Sequence, residues 1–178
     1  MAKLDVGGGH PVARIEFNGI FDMEDLYKYI GNWFKTRRYF FQEEAYKHKI
    51  PTIFGEENEI KVNGWRKITK YYKYNIKVFI HSYDVRKIEI KEKGKKKTLS
   101  KGRILIEFSG DVETDYQGVF KSTPLLKKAG EFLDRFIFDK PMDVVWSDRL
   151  YYIILKFHAR VKEHLNMTTK GNAYEDVW

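Results

Sequence analysis

The chain has no cysteine. That removes disulfides, cysteine-ligated zinc, iron–sulfur clusters and thiol nucleophiles in one step. Glutamine is nearly missing too: Gln42 and Gln117 stand alone beside abundant Lys, Arg, Glu and Ile, a balance found in heat-adapted proteins. The longest apolar run, Leu150–Leu155, is far short of the roughly 20 residues that span a bilayer. No basic stretch followed by an apolar one opens the chain, so a secretory signal is not expected and the cytoplasm is the expected compartment.

Reactive motifs are missing as well. Gly7-Gly8-Gly9-His10-Pro11 lacks the preceding strand and following helix of a phosphate loop. None of His10, His48, His81, His158 and His164 falls in a metal-ligand spacing such as H-E-x-x-H. His81 and Asp84 are separated by an odd number of residues, which points them to opposite faces of a strand. His158 lies on an apolar helix stripe and reads as a core histidine with its hydrogen bonds met. No serine sits in a G-x-S-x-G context. No catalytic residue, metal site or cofactor is therefore expected.

What is present is a chain of 178 residues, 43% hydrophobic and 16% aromatic, long enough for one domain with a sizeable core. Residues 1–11 read as a flexible lead-in, 12–166 as the domain, and 167–178 as a flexible tail in which Tyr174 and Trp178 are available to a partner. Val12–Asn18 alternates like a half-buried strand, with Ala13, Ile15 and Phe17 on one side. Asp22 is an N-cap, followed by Glu24 and Asp25 in the first turn of a helix that ends near Thr36–Arg38. Leu26, Tyr29, Ile30, Trp33 and Phe34 make its apolar face. Tyr39–Lys49 reads as a strand from its three leading aromatics, although Gln42–Tyr46 would tolerate a helix.

Glu59–Phe120 reads as an antiparallel β-meander. Asn63-Gly64 signals either a two-residue hairpin or a bulge. Tyr72–Tyr83 places Tyr72, Tyr74, Ile76, Val78 and Ile80 on one face. Val85–Lys91 and Arg103–Ser109 then pair around a basic tip, and Asp111–Phe120 continues the alternation. Thr123-Pro124 starts a helix with Leu125, Leu126, Ala129, Phe132, Leu133 and Phe136 on one side. Pro141 breaks that run before a last helix. Its stripes are Tyr151, Ile154, Leu155, His158, Val161 and Leu165, and beside them Trp146, Leu150, Ile153 and Phe157. The expected fold is α+β: a single domain with one antiparallel meander packed on one face by an N-terminal helix and two C-terminal helices.

That element order resembles the helix-grip arrangement of the START and polyketide-cyclase superfamily, which implies a curved sheet around a long C-terminal helix. Glu16-Phe17 through Trp33, Tyr71–Tyr74, Gly94–Arg103, Asp115-Tyr116 and Leu150–Leu165 also resemble a family of small archaeal proteins. Neither resemblance brings catalytic residues with it.

Charge is the most uneven property. The chain is +8 overall, and Lys91–Arg103 alone holds +6: Lys91, Lys93, Lys95, Lys96, Lys97, Lys101 and Arg103 against Glu92. Such a tip suits phosphate backbones, because each ammonium releases condensed counterions without reading bases. The plainer alternatives are a solvated hairpin tip that discourages edge-to-edge association, or contact with an anionic membrane surface. Trp65, Arg66, Lys67, Lys70, Tyr71, Tyr72, Lys73, Tyr74 and Lys77 interleave aromatics with cations, as a base-stacking face does. The even-numbered tyrosines, however, share the core face. Asp111, Glu113 and Asp115 project from one strand face, a set suited to Mg²⁺ or acid–base work but more simply to cross-strand pairing with lysines on a solvated face.

The expected function is a non-enzymatic protein that docks on RNA, such as a ribosomal subunit, through those seven basic residues. One alternative is a helix-grip carrier or enzyme for an apolar small molecule, with Tyr74, Trp146, Tyr151 and Phe157 lining a cavity. The other is a self-associating module, a homodimer formed through a sheet edge or the last helix.

Overall fold

The computed structural model describes residues 3–52, 55–92, 95–118 and 141–167, with backbone only at 50–52, 91–92, 95–97 and 141–143. In chain order the elements are β1 (Lys3–Asp5), β2 (Ala13–Phe21), α1 (Met23–Thr36), β3 (Phe40–Thr52), β4 (Gly55–Lys67), β5 (Tyr72–Glu92), β6 (Lys95–Thr114) and α2 (Pro141–His164). They form the expected α+β domain: six antiparallel strands with both helices packed on one face. β3, β4, β5 and β6 are successive neighbours, and β1 and β2 share the outer edge of β6. Lys3–Asp5, expected in a flexible lead-in, thus belongs to the sheet. The Asp5 carboxylate accepts the N–H groups of Gly7 and Gly9, which turns the chain back into β2.

α1 follows its local signals. Asp22 caps it by accepting the Asp25 N–H at 3.0 Å, and Leu26, Ile30, Trp33 and Phe34 are buried. Phe40–Lys49 is strand, as its aromatics imply, with Tyr39 just ahead of it. The meander differs in its breaks. Four expected segments merge into two long strands: β6 runs unbroken through Gly110 and ends at Thr114, and the pattern interruption at Asp84 in β5 is a β-bulge between Tyr83 and Arg86, with Asp84 at φ 54°, and not a turn. Asn63-Gly64 is neither hairpin nor bulge; both residues pair on both sides within β4.

Packing explains that glycine. Gly64 and Gly110 flank Ile76 in one cross-strand row on the helix side of the sheet. A Cβ on Gly64 would lie 2.2 Å from the Phe34 ring of α1, and one on Gly110 would lie 2.7 Å from Cδ1 of Ile154 in α2. Each helix therefore sinks a side chain into a dent where the strand has none. Gly64→Ala should cost about 1–3 kcal/mol through overpacking, where an unobstructed Gly→Ala change gains several tenths. Urea unfolding checks this, and Phe34→Leu in the same chain should return part of the loss.

Pro141 opens α2, where its missing N–H costs nothing. The two expected stripes reduce to one buried line, Leu150, Ile154, Phe157, Val161 and Leu165, while Tyr151 and Tyr152 are exposed. The Thr123-Pro124 helix and residues 168–178 lie outside the described residues. Among the described residues no helix is long and apolar enough to cross a membrane.

His158 is held as expected of a structural histidine. Its Nε2–H donates to the Arg14 carbonyl at 3.2 Å, and Phe108 meets the ring edge-on. Burial pushes its pKa below 6.5, with the carbonyl bond opposing. The unfolded chain therefore takes up the proton first as pH falls below 6.5, and stability drops in that window. His158→Gln keeps a donor for Arg14 and should remove this share of the decline, measured as the difference in melting temperature between about pH 7.5 and 5.5.

Candidate nucleic-acid interface

The basic segment is not a loop. β4 accompanies β5 no further than Val85, and β2 accompanies β6 only as far as Ser100. Beyond those points Ile88↔Leu99, Glu89↔Thr98, Ile90↔Lys97, Lys91↔Lys96 and Glu92↔Lys95 pair with each other alone. The result is a two-stranded ribbon that projects from the sheet by about 17 Å at the usual rise of ~3.4 Å per residue. Of the seven expected contact residues, Lys91 lies in β5 and Lys95, Lys96, Lys97, Lys101 and Arg103 in β6; Lys93 lies outside the described residues.

Arg103 is not at the tip. It stands at the root of the ribbon, where its Nε and Nη2 donate to Oδ2 of Asp84 on the bulge, at 3.1 and 2.5 Å. Its guanidinium carbon lies 5.7 Å from the Tyr83 ring centre. The bulge fits because Gly55 and Gly102 let backbone approach it: a Cβ would come within 2.5 Å of Asp84 C at Gly55 and 2.8 Å of Tyr83 O at Gly102. Two surface clefts border this root. One, of about 400 Å³, is lined by Asn18, Asp84, Arg86, Lys101, Gly102 and Arg103. The other, of about 330 Å³, runs from Glu16 and Phe17 past Tyr83 to Leu105.

Sequence reasoning undercounted the surface on the β5 side. Arg86 is paired in register with Lys101, and both are exposed, as is Lys87. Residues 86–103 hold nine Lys or Arg against Glu89 and Glu92, so +7 of the chain's +8 belongs to the ribbon and its root. The signal was available in sequence, in the basic pair that precedes Ile88.

The other candidates resolve differently. Tyr72 and Tyr74 are buried beneath α2, with Tyr72 stacked on Trp146 and the Tyr74 hydroxyl donating to the Trp146 carbonyl at 3.0 Å. Phe157 stacks on Trp33, so the aromatics considered for a carrier cavity are engaged in packing or, like Tyr151, exposed. Arg37 and Arg38 end α1, where the Arg37 carbonyl accepts from Arg66 Nη1 at 2.9 Å. On the sheet face away from the helices, Lys73 lies 5.9 Å from the centres of both Trp65 and Tyr116.

Asp111 and Glu113 pair as cross-strand logic requires, but the face is not solvated: these two and Asp115 are buried. Asn75 Nδ2 donates to Asp111 at 2.6 Å and Glu113 at 3.3 Å. Lys73 pairs with Glu113, and Lys77 with Asp111 at 3.6 Å. Two lysines and one amide thus neutralise and bind Asp111 and Glu113, with Glu113 Oε1 unpartnered among the described residues.

Compared with protein-family models, curated proteins and solved structures, the chain matches none. The functional reading rests on the geometry above.

Proposed function

We propose that this chain is a non-enzymatic RNA-binding protein that lays the β5–β6 ribbon along the phosphate backbone of structured RNA, with a ribosomal subunit as its natural target. The observation that carries this reading is the ribbon itself, which leaves the sheet at the point where the charge concentrates. Folding does not need that extension, because the core closes against the helices around Ile76, Phe108 and Phe157. A solvated tip guarding an edge would not need a run of like charges that repel one another. Lysines position a polyanion without reading it, since an ammonium is a point charge without the planar fork of Arg.

The direct experiment sediments the native protein with ribosomal subunits at low and high salt. Association at about 50 mM that is lost by about 500 mM supports the reading, because phosphate contacts release counterions. Association that ignores salt, or that neutral ribbon variants retain in full, would overturn it. Equal binding to DNA or heparin would replace RNA by a general polyanion.

A further inference from the structure

Away from the ribbon, β3, β4 and β5 bring four polar side chains together that no local motif joins. Glu57 and Glu59 alternate onto one face of β4, His81 stands opposite Glu59 on β5, and Lys49 stands opposite Glu57 on β3. One oxygen of each glutamate and one His81 nitrogen lie within 4.8 Å of one another. His81 Nε2 is 2.6 Å from Glu57 Oε1 and 3.8 Å from Glu59 Oε1. Lys49 Nζ lies 2.7 and 3.1 Å from the same two oxygens.

We infer that Glu57, Glu59 and His81 form a site for a divalent transition metal, zinc in class, which Lys49 holds closed with its ammonium. Three observations carry the assignment. First, a tetrahedral zinc ion with bonds of about 2.0–2.2 Å needs ligand atoms about 3.3–3.6 Å apart, and the separations of 2.6 and 3.8 Å bracket that range. Second, the ligands are held in place by the fold. They come from two paired strands, and the His81 ring is fixed between Phe79 and Tyr83, whose ring centres lie 5.7 and 3.8 Å away. Third, the position already attracts a cation, and that cation can leave. Lys49 is half exposed on the edge strand, whereas the His81 side chain is only 12% exposed.

Imidazole in the set favours zinc, cobalt or nickel over magnesium or calcium, which take oxygen ligands. Three protein ligands leave a fourth position for water. A bound ion would tie the β3–β4 hairpin to the central strand β5.

The test is calorimetric titration of the whole protein with zinc chloride, repeated with magnesium chloride. One zinc per chain is expected, and none of the magnesium at matched concentration. Lys49→Gln removes the competing charge and should tighten zinc binding by about tenfold or more. His81→Asn should weaken it by at least about tenfold, since the loss of even an outer-shell partner of a metal ligand costs that much. If His81→Asn does not fold, Glu59→Gln takes its place, and zinc should raise the melting temperature of the wild type but not of either variant. No saturable binding in the wild type and Lys49→Gln, or binding that the His81 and Glu59 variants leave unchanged, would make the cluster an ion-pair network and nothing more.

Discussion

Phe157→Ala should cost about 3–5 kcal/mol, a large share of the 5–15 kcal/mol that holds such domains together. Phe157 is fully buried in α2 and joins it to two other elements at once, α1 and β6. Its ring stacks on Trp33 of α1 at 3.8 Å and 11°, and meets Phe34 at 5.4 Å and Phe108 of β6 at 5.2 Å, both close to edge-on. Truncation leaves a hole that no neighbour can fill. Phe34 is pinned over Gly64, and Phe108 belongs to a strand paired on both sides. Tyr152 lies near Phe157 in sequence but is exposed, so Tyr152→Ala should fall within about 0.5 kcal/mol. Urea unfolding should show a lower midpoint with an unchanged slope for Phe157→Ala. A loss under about 1.5 kcal/mol would mean that the three elements do not share one core.

What was legible in the sequence was local. The cap at Asp22, the apolar face of α1 and the alternation from Tyr72 to Ile80 depend on residues three, four or two apart, and all have their structural counterparts. In α2 the buried line runs through Leu150, Ile154 and Phe157, not through Tyr151, because the helix is rotated to meet Gly110. Asn63-Gly64 carried a hairpin signature, yet the missing side chain serves Phe34 from another element, and no window around residue 64 shows that.

The polar clusters were hidden for the same reason. Asp111 and Glu113 are neutralised by Lys73 and Lys77 and hydrogen-bonded by Asn75, residues some 36 positions earlier that only the β5–β6 register brings opposite. Likewise His81 reaches Glu57 and Glu59 through the β4–β5 register, and a search for fixed spacings misses it. The basic ribbon was visible as charge but not as structure. Lysine is depleted in strands, so a lysine run reads as loop, and only pairing with Ile88–Glu92 makes it β.

Exchanging Lys91, Lys93, Lys95, Lys96 and Lys97 for Gln should lower affinity for structured RNA on the order of 10³-fold at low salt. Each phosphate contact contributes about 0.9 to the slope of log affinity against log salt, so the loss of five should flatten it by about 4.5. Gln preserves chain length, and neither β4 nor β2 pairs with the strands at these positions, so the melting temperature should stay close to that of the wild type. Arg103→Gln makes the informative contrast. Its guanidinium is committed to Asp84 at the root, so its removal should change the slope by less than one unit while loosening the bulge. A slope that falls in proportion to the number of ribbon lysines removed, and hardly at all for Arg103, locates the contact on the projecting arm. A slope that responds equally to both would move the interface down to the clefts around Asn18 and Tyr83. The ribbon would then be an edge that charge keeps apart from other chains.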